Sequence, residues 1–254
     1  MPSLAQTFSK SFADNPTQKF ACPTCGQGLL APDQSTFLEI EPEFSKRAHK
    51  LDDWDPDWIT KRFSYQSICN NTDCSEVAFV SGRGGVDQRY GYDGEPEYYD
   101  YYRIESFFPA PNLISIPEDV PNAVEELLKK CFALYWVDTS AAANAMRASL
   151  EALMDEMKVP TTRKSKKDKV VPIFLHDRIQ LWSETHKEYA DLCFALKEVG
   201  NLGSHGETVR EKHFFGALEI YAHVLQQLFE NNAEKMKELA EKIRSEIKGK
   251  KKGA

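Results

Sequence analysis

The chain lacks the features that assign a function fastest. No apolar run approaches the roughly 18 residues of a membrane span, and residues 1–20 have no apolar stretch of the signal-peptide kind. These absences predict a soluble, cytoplasmic protein with no membrane partner. There is no Gly-Lys-Ser/Thr phosphate loop, no Gly-x-Ser-x-Gly elbow and no His-Glu-x-x-His pair. Positive charge is short as well: 32 Lys and Arg stand against 39 Asp and Glu, a net charge of -7. That balance excludes a bulk-charge grip on nucleic acid and leaves only local patches for it. Cysteine is scarce, at six in 254 residues, so the position of each one carries information.

Four of the six fall into two close pairs. Cys22 and Cys25 lie in Cys-Pro-Thr-Cys-Gly, and Cys69 and Cys74 in Cys-Asn-Asn-Thr-Asp-Cys. In a chain without a leader, such pairs point to a tetrahedral zinc site before they point to disulfides. Four thiolates leave no open coordination position, so this Zn2+ would be structural. The second pair is looser than a usual knuckle, and the interval between pairs predicts an insertion from about Ala31 to Phe63. A redox Cys-x-x-Cys is the other reading, but no strand–helix context of the thioredoxin kind surrounds it. Cys131 and Cys193 sit alone in helical patterns, as small core residues.

The pattern divides the chain at Pro109-Ala-Pro-Asn112. Residues 1–108 predict a small β-rich lobe, with strands over 36–41, 62–68, 76–81 and 98–108. Ser81-Gly-Arg-Gly-Gly85 reads as a flexible turn that could cradle an anion. The Tyr-rich run around Tyr90–Tyr102 reads as a half-buried hairpin packed on the ribbon. Its interleaved acids argue against base stacking. Asp52 to Trp58 reads as an acidic loop pinned by two tryptophans. Residues 109–232 predict an antiparallel helical bundle, with helices after Pro117, after an Asp138 cap, through residues 179–199 with a break near Thr185-His186, and from Thr208. Residues 233–254 predict a charged last helix and a basic tail. The fold class is therefore α+β. A basic linker with Arg163, Lys164, Lys166, Lys167 and Lys169 reads as a solvated loop, with contact to nucleic acid as its other reading.

Gly200-Asn-Leu-Gly-Ser-His205 is read as a break between two helices, since glycine and asparagine weaken helix interiors. Together with Ile116-Pro-Glu-Asp-Val-Pro121 and Ala141-Ala-Ala-Asn-Ala-Met-Arg-Ala-Ser-Leu-Glu151, it resembles the domain-of-unknown-function family numbered 4145. That family is similar to the HEPN helical bundles, and the resemblance spans about Pro109 to Phe229. It implies a HEPN-like bundle, an N-terminal zinc ribbon and a setting in restriction or anti-phage defence. HEPN ribonucleases carry an arginine, a polar residue, three variable residues and a histidine, assembled across a dimer. With the histidine on His205, the polar residue falls on Asn201 and the arginine position on Gly200. The motif arginine is thus absent, and Arg147 or Arg210 would have to replace it in space. The resemblance therefore implies a non-catalytic binding or regulatory module, an accessory of a defence system, with Arg147, Glu151, Asn201 and His205 as its pocket. The alternative is a metal-independent endoribonuclease using His205, Asn201, Arg147 and Arg210. A second apolar stripe through Phe215 and Ile220 predicts a homodimer, or a place as subunit of a defence complex.

Overall fold

The computed structural model describes residues 3–91, 94–204, 207–230, 240 and 242–244, which form an α+β fold of one antiparallel sheet followed by packed helices. A short helix α1 (Leu4–Thr7) leads into six strands: β1 (Ser11–Ala13), β2 (Phe20–Ala21), β3 (Leu29–Ile40), β4 (Thr60–Cys69), β5 (Val77–Tyr90) and β6 (Pro96–Phe108). Their order in the sheet is β1-β6-β5-β4-β3-β2, every neighbour antiparallel. Period-two burial explains the two faces. On β4, Phe63, Tyr65, Ser67 and Cys69 point inward while Arg62, Ser64 and Gln66 point out.

The sheet curls around an aromatic cluster. Phe12 on edge strand β1 stacks on Tyr102 at 5.0 Å and meets Phe63 edge-on at 5.4 Å. From the far side of the sheet, Phe37 on β3 reaches Phe63 at 6.0 Å and Tyr102 at 5.3 Å. Lys61 fastens the curl by bridging Glu39 at 3.1 Å and Asp100 at 2.8 Å. The Tyr102 hydroxyl donates to the same Glu39.

The expected turn at Ser81–Gly85 is instead the middle of β5. Of the expected 76–81 strand, residues 77–81 form only the start of a strand that runs to Tyr90. Its glycines are there for close approach. A Cβ on Gly82 would overlap the Arg103 carbonyl, and one on Gly84 would come within 2.6 Å of the Tyr102 ring. Pairing steps from Ser81–Ser106 to Gly82–Ile104, which leaves Glu105 as the extra residue of a bulge. At the far end of the β5–β6 pair, the Gly91 N–H donates to the Glu95 carbonyl at 2.9 Å. Of the tyrosine run, Tyr102 is buried whereas Tyr90, Tyr98 and Tyr101 are exposed, so the hairpin is less packed than expected; Tyr92 lies outside the described residues. Much of the expected 31–63 insertion is strand as well. Only residues 41–59 leave the sheet, as helix α2 (Glu43–Ala48) and a single 3-10 turn at Pro56–Trp58. Trp54 is half-buried beside His49, but Trp58 is exposed, so only one tryptophan pins the acidic loop.

The helices are α3 (Asn122–Val137), α4 (Thr139–Glu156), α5 (Leu175–Trp182), α6 (Lys187–Ser204) and α7 (Glu211–Phe229). The first starts after Pro121 rather than Pro117. Asp138 ends α3 and caps α4, its carboxylate accepting the Ser140 N–H at 2.7 Å and the Ala141 N–H at 3.3 Å. The chain breaks between α5 and α6, where the Trp182 ring stacks on His186. Val124, Leu128, Cys131, Phe132, Leu150, Leu153, Cys193, Phe214 and Leu218 fill the centre. One buried polar group, the Ser149 hydroxyl, donates to the Val124 carbonyl at 3.1 Å and shares a hydrogen bond with the Tyr221 hydroxyl at 2.9 Å. Arg178, 5% exposed, closes the C-terminal end of α4 through Asp155 at 2.6 Å and the Val159 carbonyl at 3.0 Å. The basic linker is a small hairpin of β7 (Thr162–Lys164) and β8 (Val170–Pro172), with Arg163 paired to Asp177 and Lys164 to Asp168. The expected last helix falls mostly outside the described residues.

Sheet and helices share one continuous core. Trp136 lies 5.5 Å from Phe20 and 5.1 Å from Phe107, and the Tyr135 hydroxyl donates to the Phe8 carbonyl at 2.7 Å. Phe215, expected on a free stripe for pairing, is 2% exposed beneath Phe8 and Tyr135. Of the two residues named for that stripe, the N-terminal lobe covers Phe215, while Ile220 is partly buried.

Lys10 sits in the same junction, 3% exposed, with Nζ donating to Thr139 at 3.2 Å, 3.7 Å from Glu211 and 4.1 Å above the Tyr135 ring. Desolvation outweighs the pull of Glu211 and lowers its pKa from 10.5 to about 8. The unfolded chain then holds this proton more tightly than the folded one. Stability from this group is therefore lowest below pH 8 and grows as pH rises towards 10.5. Wild type is expected to gain on Lys10→Met across that window in denaturant titrations at stepped pH. A difference that stays flat or falls contradicts the assignment.

Candidate metal centre and the helix crossing at Gly200

The β2–β3 turn carries Cys22 and Cys25, and the β4–β5 turn carries Cys69 and Cys74. Because β3 and β4 pair antiparallel, with Leu30 opposite Cys69, both turns meet at one end of the sheet. All four Sγ atoms lie within 4.8 Å of one another, with Cys22–Cys74 and Cys25–Cys69 each at 3.8 Å. A tetrahedron with metal–sulfur bonds of about 2.3 Å has sulfur–sulfur edges of about 3.8 Å, so the donor set fits a tetrahedral thiolate-bound metal ion.

Local backbone builds this geometry. Gly26 takes the left-handed conformation at φ +64°, and the Gly28 N–H points at Cys25 Sγ at 3.3 Å. A Cβ on Gly28 would run into Cys69 Sγ, so the two knuckles close only around glycine there. In the wider second knuckle, the Asn71 carbonyl accepts the Cys74 N–H at 3.0 Å and the Ser75 N–H at 2.9 Å, and Ser75 turns left-handed at φ +48°. That turn absorbs the two extra residues. Backbone N–H groups of Gly28 and Gln27 hold the Cys25 thiol down at about 6. At Cys74 the Glu76 N–H works the same way, yet desolvation and the neighbouring thiols push the pKa up to about 12. Four thiols this close cannot all ionise alone, and a divalent cation removes that repulsion. Cys131 and Cys193 are buried far from such chemistry, the Cys193 thiol raised to about 12 by desolvation.

The second predicted site looks different from its sequence reading. Helix α6 runs unbroken through Gly200 and Gly203 to Ser204. The two glycines, three apart on one face, let α6 press against α4. A Cβ on Gly200 would overlap Arg147 Cβ, and one on Gly203 would overlap the Ser140 carbonyl. Ser204 donates to Asn144 at 2.7 Å, and Ser140 donates to the Glu207 carbonyl at 3.1 Å while accepting the Val209 N–H at 3.1 Å. The glycine run is a helix crossing, not a helix break. A sequence shows the glycines but not the neighbour that requires them.

Around that crossing, Arg147 pairs with Glu151 at 2.9 Å, one turn apart on α4. Its Nε is buried and meets no acceptor among the described residues. Asn201 is half-buried next to Gly200 on α6, and Arg210 is exposed at the N-cap of α7. Arg147, Glu151 and Gly200 are thus brought together, while Asn201 and Arg210 make no bond to that pair among the described residues. His205 lies outside the described residues. Sequence reasoning missed Gly28, Lys10 and Arg178. For Gly28 the signal was present, as a second glycine two positions beyond the Cys-x-x-Cys-Gly turn.

No curated protein and no solved structure matches this chain. Residues 10–110, the sheet, are similar to the family described as Domain of unknown function (DUF8608). Residues 129–248, most of the helical region, are similar to the family described as Domain of unknown function (DUF4145).

Proposed function

We propose that this protein is a non-catalytic binding or regulatory module, in which a zinc-ribbon knuckle pair closes one end of a curled sheet that packs on a HEPN-like bundle. The observation that carries this reading is the packing at Gly200. The resemblance expects a phosphate-clamping arginine there, and the approach of α4 leaves no room for any side chain. Zinc is proposed as the ion because four thiolates with tetrahedral edges suit it and leave no site for substrate. The setting we propose is cytoplasmic, as an accessory of a restriction or anti-phage system bound to a protein partner or a second copy. The Arg163–Lys169 hairpin is a further candidate contact for nucleic acid.

One observation favours the second reading, an endoribonuclease. The Arg147 side chain starts against Gly200, and its guanidinium, paired with Glu151, keeps a buried Nε unpartnered among the described residues. Loss of such a transition-state donor typically costs about 3–4 kcal/mol, so a displaced arginine is decisive. Wild type, His205→Ala and Arg147→Lys are incubated with labelled structured and single-stranded RNA, with and without divalent metal. The expected result is no cleavage above background by any of them. Cutting by wild type that both variants lose would overturn the module reading.

A further inference from the structure

Strand register places a second chemistry on the solvent face of the sheet. Arg62, Arg83 and Arg103 stand opposite one another across β4, β5 and β6. The next outward row is Ser64, Ser81 and Ser106, and the one after it is Gln66, Phe79 and Phe108. Phe79 and Phe108 are paired across strands, yet 59% and 73% exposed. The serine and phenylalanine rows line a groove of about 290 Å³. Directly paired side chains sit about 5 Å apart, and the arginine row lies four residues, about 13 Å, along the strand from the phenyl pair.

We propose that this face binds a single-stranded nucleic acid, with phosphates on the arginine row and unstacked bases on Phe79 and Phe108. A pair of exposed rings on neighbouring strands is a stacking platform open to any base, and a duplex, whose bases are already stacked, gains nothing from it. Glu105 at 2.9 Å from Arg83 and Glu211 at 3.9 Å from Arg103 orient those guanidiniums, whose five donors exceed what one carboxylate engages. Arg62 spends one donor on the Lys61 carbonyl. The lysine-rich C-terminus of this chain carries the wrong sign to cover the arginines. The inference goes beyond the module reading and does not depend on whether RNA is cut.

The test is fluorescence anisotropy of the metal-loaded full chain with a labelled 12-nucleotide single strand and the matching duplex, at 50 to 200 mM salt. The single strand is expected to bind more tightly than the duplex, with log affinity falling against log salt at a slope of about -2 for three phosphate contacts. Arg83→Gln or Arg62→Gln should remove about 0.7 from that slope, and Arg83→Lys should keep it. Phe79→Ala and Phe108→Ala should weaken binding about fivefold to a hundredfold and leave the slope unchanged. Thermal melting of each variant confirms the fold, since these positions are on the surface. The proposal is overturned by no binding at 50 mM salt, by equal affinity for duplex, or by loss on Lys166→Gln/Lys167→Gln rather than on the sheet variants. Salt-insensitive capture of a protein through Leu38 and Ile40 at the same face, without oligonucleotide binding, overturns it as well. Absent binding leaves the cleavage assay untouched, and cleavage indifferent to the sheet variants leaves this proposal untouched.

Discussion

Cys69→Ser is expected to abolish metal binding and unfold the sheet. Cys69 Sγ packs on Gly28 and lies 3.8 Å from Cys25, so its loss removes both a ligand and the contact that closes the knuckles. Structural zinc sites in small domains contribute about 10–16 kcal/mol at neutral pH, as much as the entire stability of a typical domain. The strand circular-dichroism signal should collapse on chelation or in the variant, while much of the helical signal survives, because Leu128, Leu150 and Leu218 are buried among helices. The bundle should still melt earlier, since Phe8 and Phe20 leave Phe215 and Trp136 uncovered. A variant that keeps the wild-type spectrum and melting temperature contradicts this structural role.

Gly200→Ala is expected to destabilise the fold by about 1–3 kcal/mol, although alanine is the better helix former by about 1 kcal/mol. The added methyl would overlap Arg147 Cβ, which belongs to a packed helix and cannot swing away. Arg147→Gly in the same chain should recover most of the loss, giving a coupling energy well above 0.5 kcal/mol. Gly216→Ala on α7 is the control: an added Cβ there meets nothing within 4 Å, so stability should rise by about 0.5–1 kcal/mol. Gly200→Arg, which would restore the motif residue, should fold worst of all. A stable Gly200→Ala protein would make the crossing looser than described and reopen the position to an active-site role.

What could be read from the sequence was what is encoded locally. The α+β class, the cap at Asp138 and the break before α6 follow from short-range periodicity and turn chemistry. The cysteine cluster was legible because each half of it is a short, distinctive spacing. Both glycine runs misled for one reason: Gly82–Gly85 and Gly200–Gly203 look like punctuation, and both are sites of close approach to another element. Phe215 misled because its partner, Phe8, is some 200 residues away in sequence. The arginine row is invisible without strand register, since its members are about 20 residues apart, and Ser106 and Phe108 join it on the same face only through the bulge at Glu105.

The four-cysteine cluster is proposed to hold one structural zinc. X-ray absorption at the zinc edge, combined with metal quantification on the purified full chain, tests it most directly. The expected result is one zinc per chain with four sulfur neighbours at about 2.3 Å and no nitrogen or oxygen ligand. Well under one zinc per chain, or a site with an oxygen ligand open to exchange, would contradict it.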